Sequence, residues 1–157
     1  MRNPFTFAVQ PGSGRIHIND MGQSTWEEVN VGARGANFGW SGSEGRDNVS
    51  AGITGPLFAY NHASAAPAGS GPGGFFTGQA IAGGAFYPAN GPFPAAYRDN
   101  YYFADFVSGF LARMDMANGS AVYAFARGLA QPVDMLVGTD GALYVLTRGG
   151  IVRISSP

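Results

Sequence analysis

A turn followed by a strand recurs three times in this sequence, and the spacing of the repeats limits the folds that the chain can adopt. The units are PGSGRIHIND from Pro11, RDNYYFADF from Arg98 and TDGALYVLT from Thr139, the last two starting 41 residues apart. After the first turn Ile16 and Ile18 alternate with polar residues, which is the pattern of a half-buried β-strand, and each of the other two turns leads into a predicted strand rich in apolar residues. A strand-only repeat of ~40–50 residues is typical of the blades of a β-propeller.

Composition points to the same fold class. The 157 residues include 25 glycines and 10 prolines, with 13% aromatic and only 12% charged residues, which favours many short strands joined by tight turns. A hydrophobic content of 45% is enough to form a buried core. We therefore expect an all-β fold, a partial β-propeller of about three four-stranded blades.

The strand pattern predicts a single domain, residues 1–157, made of unequal parts. They are a first blade at about 4–40 whose short fourth strand is 36–40, a loop-rich insertion at about 41–78, a second blade at about 79–127 and an incomplete third blade at about 131–155. A propeller ring needs about four blades at least, so these blades are too few to close. We expect two copies to associate as a homodimer and complete a six-bladed ring.

Charge and cysteine content argue against several classes of partner and site. Nine basic residues, all arginine, face ten acidic ones, the net charge is −1, and no basic stripe is present, so nucleic acid is not expected as a partner. The absence of cysteine excludes disulfides and thiolate metal sites. No apolar run approaches ~20 residues, so no membrane span is expected, and the N-terminus lacks the pattern of a signal peptide.

Several ordered motifs carry a resemblance to a known family. They are RNPFTFAVQPGSGRIHINDMGQSTWEEVNVGARGANFGW, GGAFYP, YYFADF and GLAQPVDMLVGTDGALYVLTRGG. Together they resemble the C-terminal half of pyrroloquinoline quinone (PQQ)-dependent soluble aldose sugar dehydrogenases, in the glucose/sorbosone dehydrogenase family. The resemblance implies a six-bladed propeller with the quinone over its central channel, bound calcium, oxidation of sugars, and a periplasmic or extracellular location.

The resemblance also implies site residues. Arg2 and Asn3 stand where an Arg-Asn pair approaches the quinone, and a guanidinium suits its carboxylates. Glu28 and the backbone carbonyl of Phe38 match a structural calcium site, and calcium prefers such oxygen ligands. The alternative for the Glu27-Glu28 pair is a solvated edge charge, because adjacent strand residues point to opposite faces.

Other positions depart from the family pattern. Phe5 replaces a glutamine, and Gln131 and Val133 replace arginines that some relatives carry. The family's catalytic histidine belongs to the half that this chain lacks, so no catalytic residue is assigned. Of the two histidines present, His17 is expected to be structural or solvent-facing, and His62 lies before a loop.

The expected function is therefore that of a sugar dehydrogenase fragment, catalytically incomplete on its own. The alternative is a non-catalytic propeller module that binds a carbohydrate or a protein through its loops. Aromatic residues can stack on sugars, but most are expected to fill the core between blades. They are Trp26, Trp40, Tyr60, Tyr87, Tyr101 and Tyr102.

Overall fold

Three antiparallel sheets make up the protein. The computed structural model describes residues 1–46, 49–63 and 77–156. The strands are β1 (Pro4–Val9), β2 (Ile16–Asp20), β3 (Trp26–Val31), β4 (Phe58–Asn61), β5 (Ile81–Phe86), β6 (Tyr101–Asp105), β7 (Leu111–Asp115), β8 (Ala121–Ala126), β9 (Pro132–Val137), β10 (Leu143–Thr147) and β11 (Gly150–Ile154), with one 3₁₀ helix at Ala95–Tyr97. The sheet orders are β1-β2-β3-β4, β5-β6-β7-β8 and β9-β10-β11. The predicted all-β partial propeller is confirmed, and no helix in the described part is long and apolar enough to cross a bilayer.

The middle sheet is packed on both faces. One apolar cluster, which includes Phe58, Ile81 and Phe103, fills the space between the first and middle sheets. A second cluster, which includes Tyr102 and Leu143, fills the space between the middle and last sheets. Along one edge β5 contacts both β1 and β9, so the first strand of each sheet lies innermost, as in propeller blades.

Buried tyrosines fill the spaces between blades, as predicted for most of the aromatic residues. Tyr60, Tyr87, Tyr101 and Tyr102 are fully buried, and each hydroxyl donates a hydrogen bond. Tyr101 donates to Asn19 Oδ1 at 2.9 Å, which joins β6 to β2. A buried tyrosine needs such a partner, so these bonds fix the position of one blade against the next.

The first blade ends later than the sequence indicated. Residues 36–40 form no strand, and the fourth strand is Phe58–Asn61, which pairs with β3 from Val29↔Phe58 to Trp26↔Asn61. The predicted strand fails because Asn37 Oδ1 accepts the N–H of Gly39, and Gly39 has a left-handed φ of 87°. Much of the predicted insertion 41–78 is thus the β3–β4 connection and β4, while 47–48 and 64–76 lie outside the described residues.

Two apolar sheet faces are left without a covering sheet. We call the first the leading face, because it lies on the first sheet away from the middle one: Phe7 pairs with Ile18 and Val9 with Ile16. The trailing face lies on the last sheet: Leu136, Tyr144, Leu146 and Ile151 project together from paired strands. Phe7 is 65% exposed and Ile151 68% exposed, so both faces are open to solvent.

Candidate functional site at the loop end of the blades

Loops from all three sheets meet at one end of the protein, which we call the loop end. Backbone hydrogen bonds tie these loops together in pairs. The donors and acceptors are Met21 to Asn3, His62 to Thr25, Phe106 to Ala80, Leu129 to Gly109 and Arg148 to Gln131, at 2.7–3.2 Å. Binding residues commonly lie on such loops, held by a rigid scaffold. The predicted ligands Arg2 and Asn3 lie at this end.

Asp20 positions the Arg2-Asn3 pair. Its carboxylate accepts the backbone N–H of Arg2 at 3.0 and 3.1 Å and that of Asn3 at 2.7 Å. The Arg2 guanidinium donates through Nη1 to the carbonyls of Met21 and Gly22, at 3.1 and 2.8 Å. The pair is therefore ordered by protein groups, and part of the cationic group is already used.

An apolar pocket of about 420 Å³ lies beside this pair at the inner edge of the sheets. Its lining is Phe5, Met21, Ala80, Ala82, Phe106, Val107 and Val133. The β1–β2 register shifts between Pro4 and Thr6, and such a bulge re-aims a side chain, so Phe5 enters the pocket while Phe7 lies on the leading face. These side chains do not fit a carboxylated quinone, because none offers a hydrogen-bond donor or a positive charge.

The predicted calcium ligand Glu28 lies on the opposite face of β3 from Glu27. Its Oε1 accepts the N–H of Gly45 at 2.5 Å and its Oε2 accepts Asn30 Nδ2 at 2.8 Å. Asp20 is its direct partner across β2 and β3, and both carboxylates are buried. Burial, with Asp20 as a smaller contributor, raises the pKa of Glu28.

These groups fit a hard cation by donor type. Oxygen ligands are available from two facing carboxylates and from the buried Asn30 Oδ1, which has no hydrogen-bond partner in the described part of the chain. The described residues contain no cluster of three or more His, Cys, Asp or Glu side chains that forms a complete cage. A calcium ion here would need backbone carbonyls as well, and that of Phe38 on the β3–β4 connection stays a prediction.

A buried polar network that sequence reasoning missed links the first and middle sheets. Glu27 is fully buried, with Oε1 2.7 Å from His62 Nε2 and Oε2 accepting the N–H of Ile81 at 2.9 Å. Nearby, Asp105 accepts the Tyr60 hydroxyl at 2.8 Å and the N–H of Ala80 at 2.9 Å. Burial raises the pKa of Glu27 to about 8, so its carboxyl is mostly protonated at neutral pH. Only the apolar Val29 and Val31 on the same face of β3 hinted at this burial.

Neither histidine presents an unengaged Nε2 to solvent at the loop end. His17 is buried against the rings of Phe86 and Tyr101, which confirms a structural position. Burial, helped by Arg15, lowers the pKa of His17 to about 4, so the ring stays neutral. His62 is engaged by Glu27 through Nε2. A general base must reach the proton it removes, and burial of the His17 ring and engagement of His62 Nε2 by Glu27 keep these nitrogens from that role.

Glu44 ties the β3–β4 connection to the loop end, and sequence reasoning missed it as well. Its Oε1 accepts the backbone N–H groups of Gln23, Ser24, Thr25 and Trp26 at 2.9–3.1 Å. Burial alone would raise its pKa, but these four donors lower the pKa of Glu44, so the side chain is ionised. Successive N–H groups that converge in this way form an anion nest.

Known structures share this fold. A glucose dehydrogenase matches with a TM-score of 0.75 and 21% identity over 99% of this chain and 45% of that one. The soluble aldose sugar dehydrogenase of Escherichia coli, in its apo form, matches at 0.71 and 24% over 98% and 44%. A PQQ-bound aldose sugar dehydrogenase from Streptomyces coelicolor matches at 0.58 and 20% over 87% and 34%. This chain thus spans less than half the length of these proteins.

The family comparison covers almost every residue. The family model described as Glucose / Sorbosone dehydrogenase matches residues 1–154. The match includes the Arg2-Asn3 pair, the Glu27-Glu28 pair and all three sheets. The chain therefore belongs to the glucose/sorbosone dehydrogenase family.

Proposed function

We propose that this chain is a sugar dehydrogenase fragment that is catalytically incomplete by itself and pairs with a second copy to close a six-bladed ring. The observation that supports pairing is the presence of one open apolar face at each end of the stack of sheets, with Phe7 and Ile151 more than half exposed. Exposed apolar patches rimmed by polar residues commonly mark protein interfaces. Two copies supply six sheets, the number that the family resemblance implies.

Closure of such a ring requires head-to-tail contacts. The leading face of one copy packs on the trailing face of the other, and a two-fold rotation makes both contacts equal. Heterologous contacts of this kind form a closed ring only when the rotation returns to the start. The trailing face carries a cavity of about 190 Å³ lined by Leu136, Tyr144, Leu146 and Ile151 among others, which offers a site for side chains of the leading face.

Light scattering combined with size exclusion tests this proposal. The wild-type protein should have twice the mass of one chain at micromolar concentration. Phe7→Glu and Ile151→Glu should each shift it to monomer, because each places a charge in a closing contact. An equimolar mixture of the two variants should recover dimer. In the mixed pair, the unchanged leading face of Ile151→Glu packs on the unchanged trailing face of Phe7→Glu, so one of the two contacts is intact.

A matched control is Ala117→Glu, which adds the same charge at an exposed turn away from both faces. It should remain a dimer. A folded monomer of the wild type contradicts closure, and a dimer that survives Ile151→Glu but not Phe7→Glu indicates that leading faces pair with each other instead.

Catalytic incompleteness is supported by the positions of the histidines and by the apolar lining at the inner edge. Neither imidazole is placed as a base, and the pocket beside Arg2 has no polar side chain. With PQQ and calcium added, we expect no aldose-dependent dye reduction above that of free quinone. Reduction well above this background would show that the single-chain assembly is an enzyme, with Arg2 and Asn3 as candidate quinone ligands.

A non-catalytic binding module for carbohydrate or protein is the second candidate. The apolar lining of the pocket beside Arg2 favours this candidate. It offers no charged group to bind a quinone, while the loops that could bind another ligand are still present. Titration with PQQ and calcium separates the two: bound quinone favours the dehydrogenase line, and its absence favours the module. By analogy with the family, either function would operate in the periplasm or outside the cell.

A further inference from the structure

A second pocket at the loop end contains both tryptophans of the chain. Its volume is about 230 Å³ and its lining is Thr25, Trp26, Trp40, Ser41, Gly42, Ser43 and Glu44. This is below the ~300–1,000 Å³ of pockets for drug-sized ligands and suits a single ring with its hydroxyl groups. The lining combines aromatic, hydroxyl and carboxylate groups and comes from two short segments, 25–26 and 40–44.

Trp40 provides an accessible aromatic platform in this pocket. Its side chain is 39% exposed, although large apolar residues in the core of this protein are almost all fully covered. The Arg2 guanidinium carbon lies 6.0 Å from the ring centroid and helps to hold the indole in place. An exposed, ordered indole with polar neighbours suits a ligand that has one apolar face and a polar edge.

Glu44 supplies the polar side of the pocket and selects against anions. The anion nest fixes its Oε1, while Oε2 has no hydrogen bond among the described residues. The N–H donors lower the pKa of Glu44, so its charge repels carboxylated or phosphorylated ligands. A carboxylate oxygen and the hydroxyls of Thr25 and Ser41 can accept and donate hydrogen bonds to a polyhydroxylated ring.

We propose that this pocket binds one neutral pyranose ring, with the ring's C–H face on Trp40 and its hydroxyls on Glu44 Oε2 and the neighbouring Ser and Thr groups. The site is separate from the apolar pocket beside Arg2 and does not depend on ring closure by a second copy. It would hold a sugar unit without performing chemistry on it, and it rests on the binding-module candidate above, whose carbohydrate site it locates.

Tryptophan fluorescence reports on this pocket directly, since Trp26 and Trp40 are the only two tryptophans. Titration of the full chain with glucose should give a saturable change with a Kd on the order of 1 mM, corresponding to about −4 kcal/mol. Mannitol, an open-chain polyol, should bind at least about tenfold more weakly, because it lacks a ring face to stack. Glucuronate should also bind more weakly, because its carboxylate faces that of Glu44.

Variants identify the platform, with ligand-observed NMR as a readout that does not need Trp40. Trp40→Ala should weaken glucose binding at least about tenfold, whereas Trp40→Phe, which keeps a ring, should weaken it less. Tyr123→Ala, which removes an aromatic residue on β8 that contacts Arg113 on β7, is the matched control and should bind like wild type. Circular dichroism confirms folding, and Trp40→Phe carries the test if Trp40→Ala does not fold.

Three results would overturn the proposal: no saturable change with glucose, unchanged glucose binding in both Trp40 variants, or equal binding of mannitol and glucose. A monomeric wild type would affect only the ring-closure proposal and leave this one standing.

Discussion

The Glu27 side chain is fully buried. Its carboxyl contacts His62 and Ile81, which belong to two segments distant from it in the sequence. A buried carboxyl with a raised pKa is more stable in its protonated form. Because the folded pKa of about 8 lies above the ordinary value of 4.5, its contribution to stability is complete below pH 4.5 and is lost as the pH rises through 8. The contact between blades therefore weakens as the pH rises from about 4.5 to about 8.

Glu27→Gln should remove this pH dependence. The amide keeps an oxygen for the N–H of Ile81 and an NH₂ group for His62, but it cannot ionise. In urea unfolding, the free energy of unfolding of the wild type should fall relative to that of the variant by up to about 1.4 kcal/mol per pH unit between the two pKa values. The variant should be more stable than wild type at pH 9; an identical pH dependence in the two proteins would show that another group is responsible.

His17→Leu should stabilise the protein, most strongly in acid. Both ring nitrogens of His17 are buried and have no hydrogen-bond partner among the described residues, and burying an unpaired polar group costs on the order of 1 kcal/mol or more. The folded pKa of about 4 lies below the ordinary 6.5, so stability is present above pH 6.5 and is lost as the pH falls through 4. Thermal unfolding at pH 7 and pH 5 checks this, and a variant less stable than wild type at pH 5 contradicts it.

At the scale of the elements, β2 and β3 bring Asp20 and Glu28 into direct register. Two buried carboxylates that face each other repel when both are ionised, and a divalent cation removes this repulsion. The β3–β4 connection lies over the pair through Gly45, so metal binding would fix this connection against the sheet.

Calcium should therefore raise the unfolding temperature of the wild type. A ligand at a hundredfold excess over its Kd stabilises the folded state by about 2.7 kcal/mol. Glu28→Gln should abolish the increase, whereas Glu27→Gln, the adjacent residue on the opposite face, should retain it. Differential scanning calorimetry with calcium and with chelator measures the effect, and an equal increase in both variants contradicts the site.

Strands that form local hairpins were predictable, and contacts between distant segments were not. The β1–β2 hairpin follows from alternating residues around a Pro-Gly-Ser-Gly turn. The fourth strand of the first blade was wrong because β3 pairs with Phe58–Asn61 across a long connection, and the nearer 36–40 segment has a similar composition. Glu27 and Glu44 were missed for the same reason, since Ile81 lies 54 residues from Glu27 and Gln23 lies 21 residues from Glu44.

At the scale of the whole molecule, the family was predictable because its motifs are spread over the chain, and the family comparison over residues 1–154 confirms it. Arg2 and Asn3 lie at the loop end and their role as quinone ligands stays a prediction, whereas the apolar lining beside them was not foreseen beyond Phe5 and Val133. A single departure from the family pattern can be recognised in the sequence. The lining of a pocket cannot, because its side chains come from three sheets and meet only in the folded structure.

Within one copy, β5–β8 is the one sheet among the described residues that has a neighbouring sheet on both sides, and in a monomeric variant such as Ile151→Glu this asymmetry sets an order of unfolding. Amide protons of β6 should exchange with deuterium most slowly, because opening them requires the separation of both apolar clusters. Amides of β1 and β11 should exchange first, and mass spectrometry of peptic fragments resolves the difference. If the middle sheet stays folded while the outer sheets open, it would serve as the surface on which the outer sheets fold again after each partial unfolding.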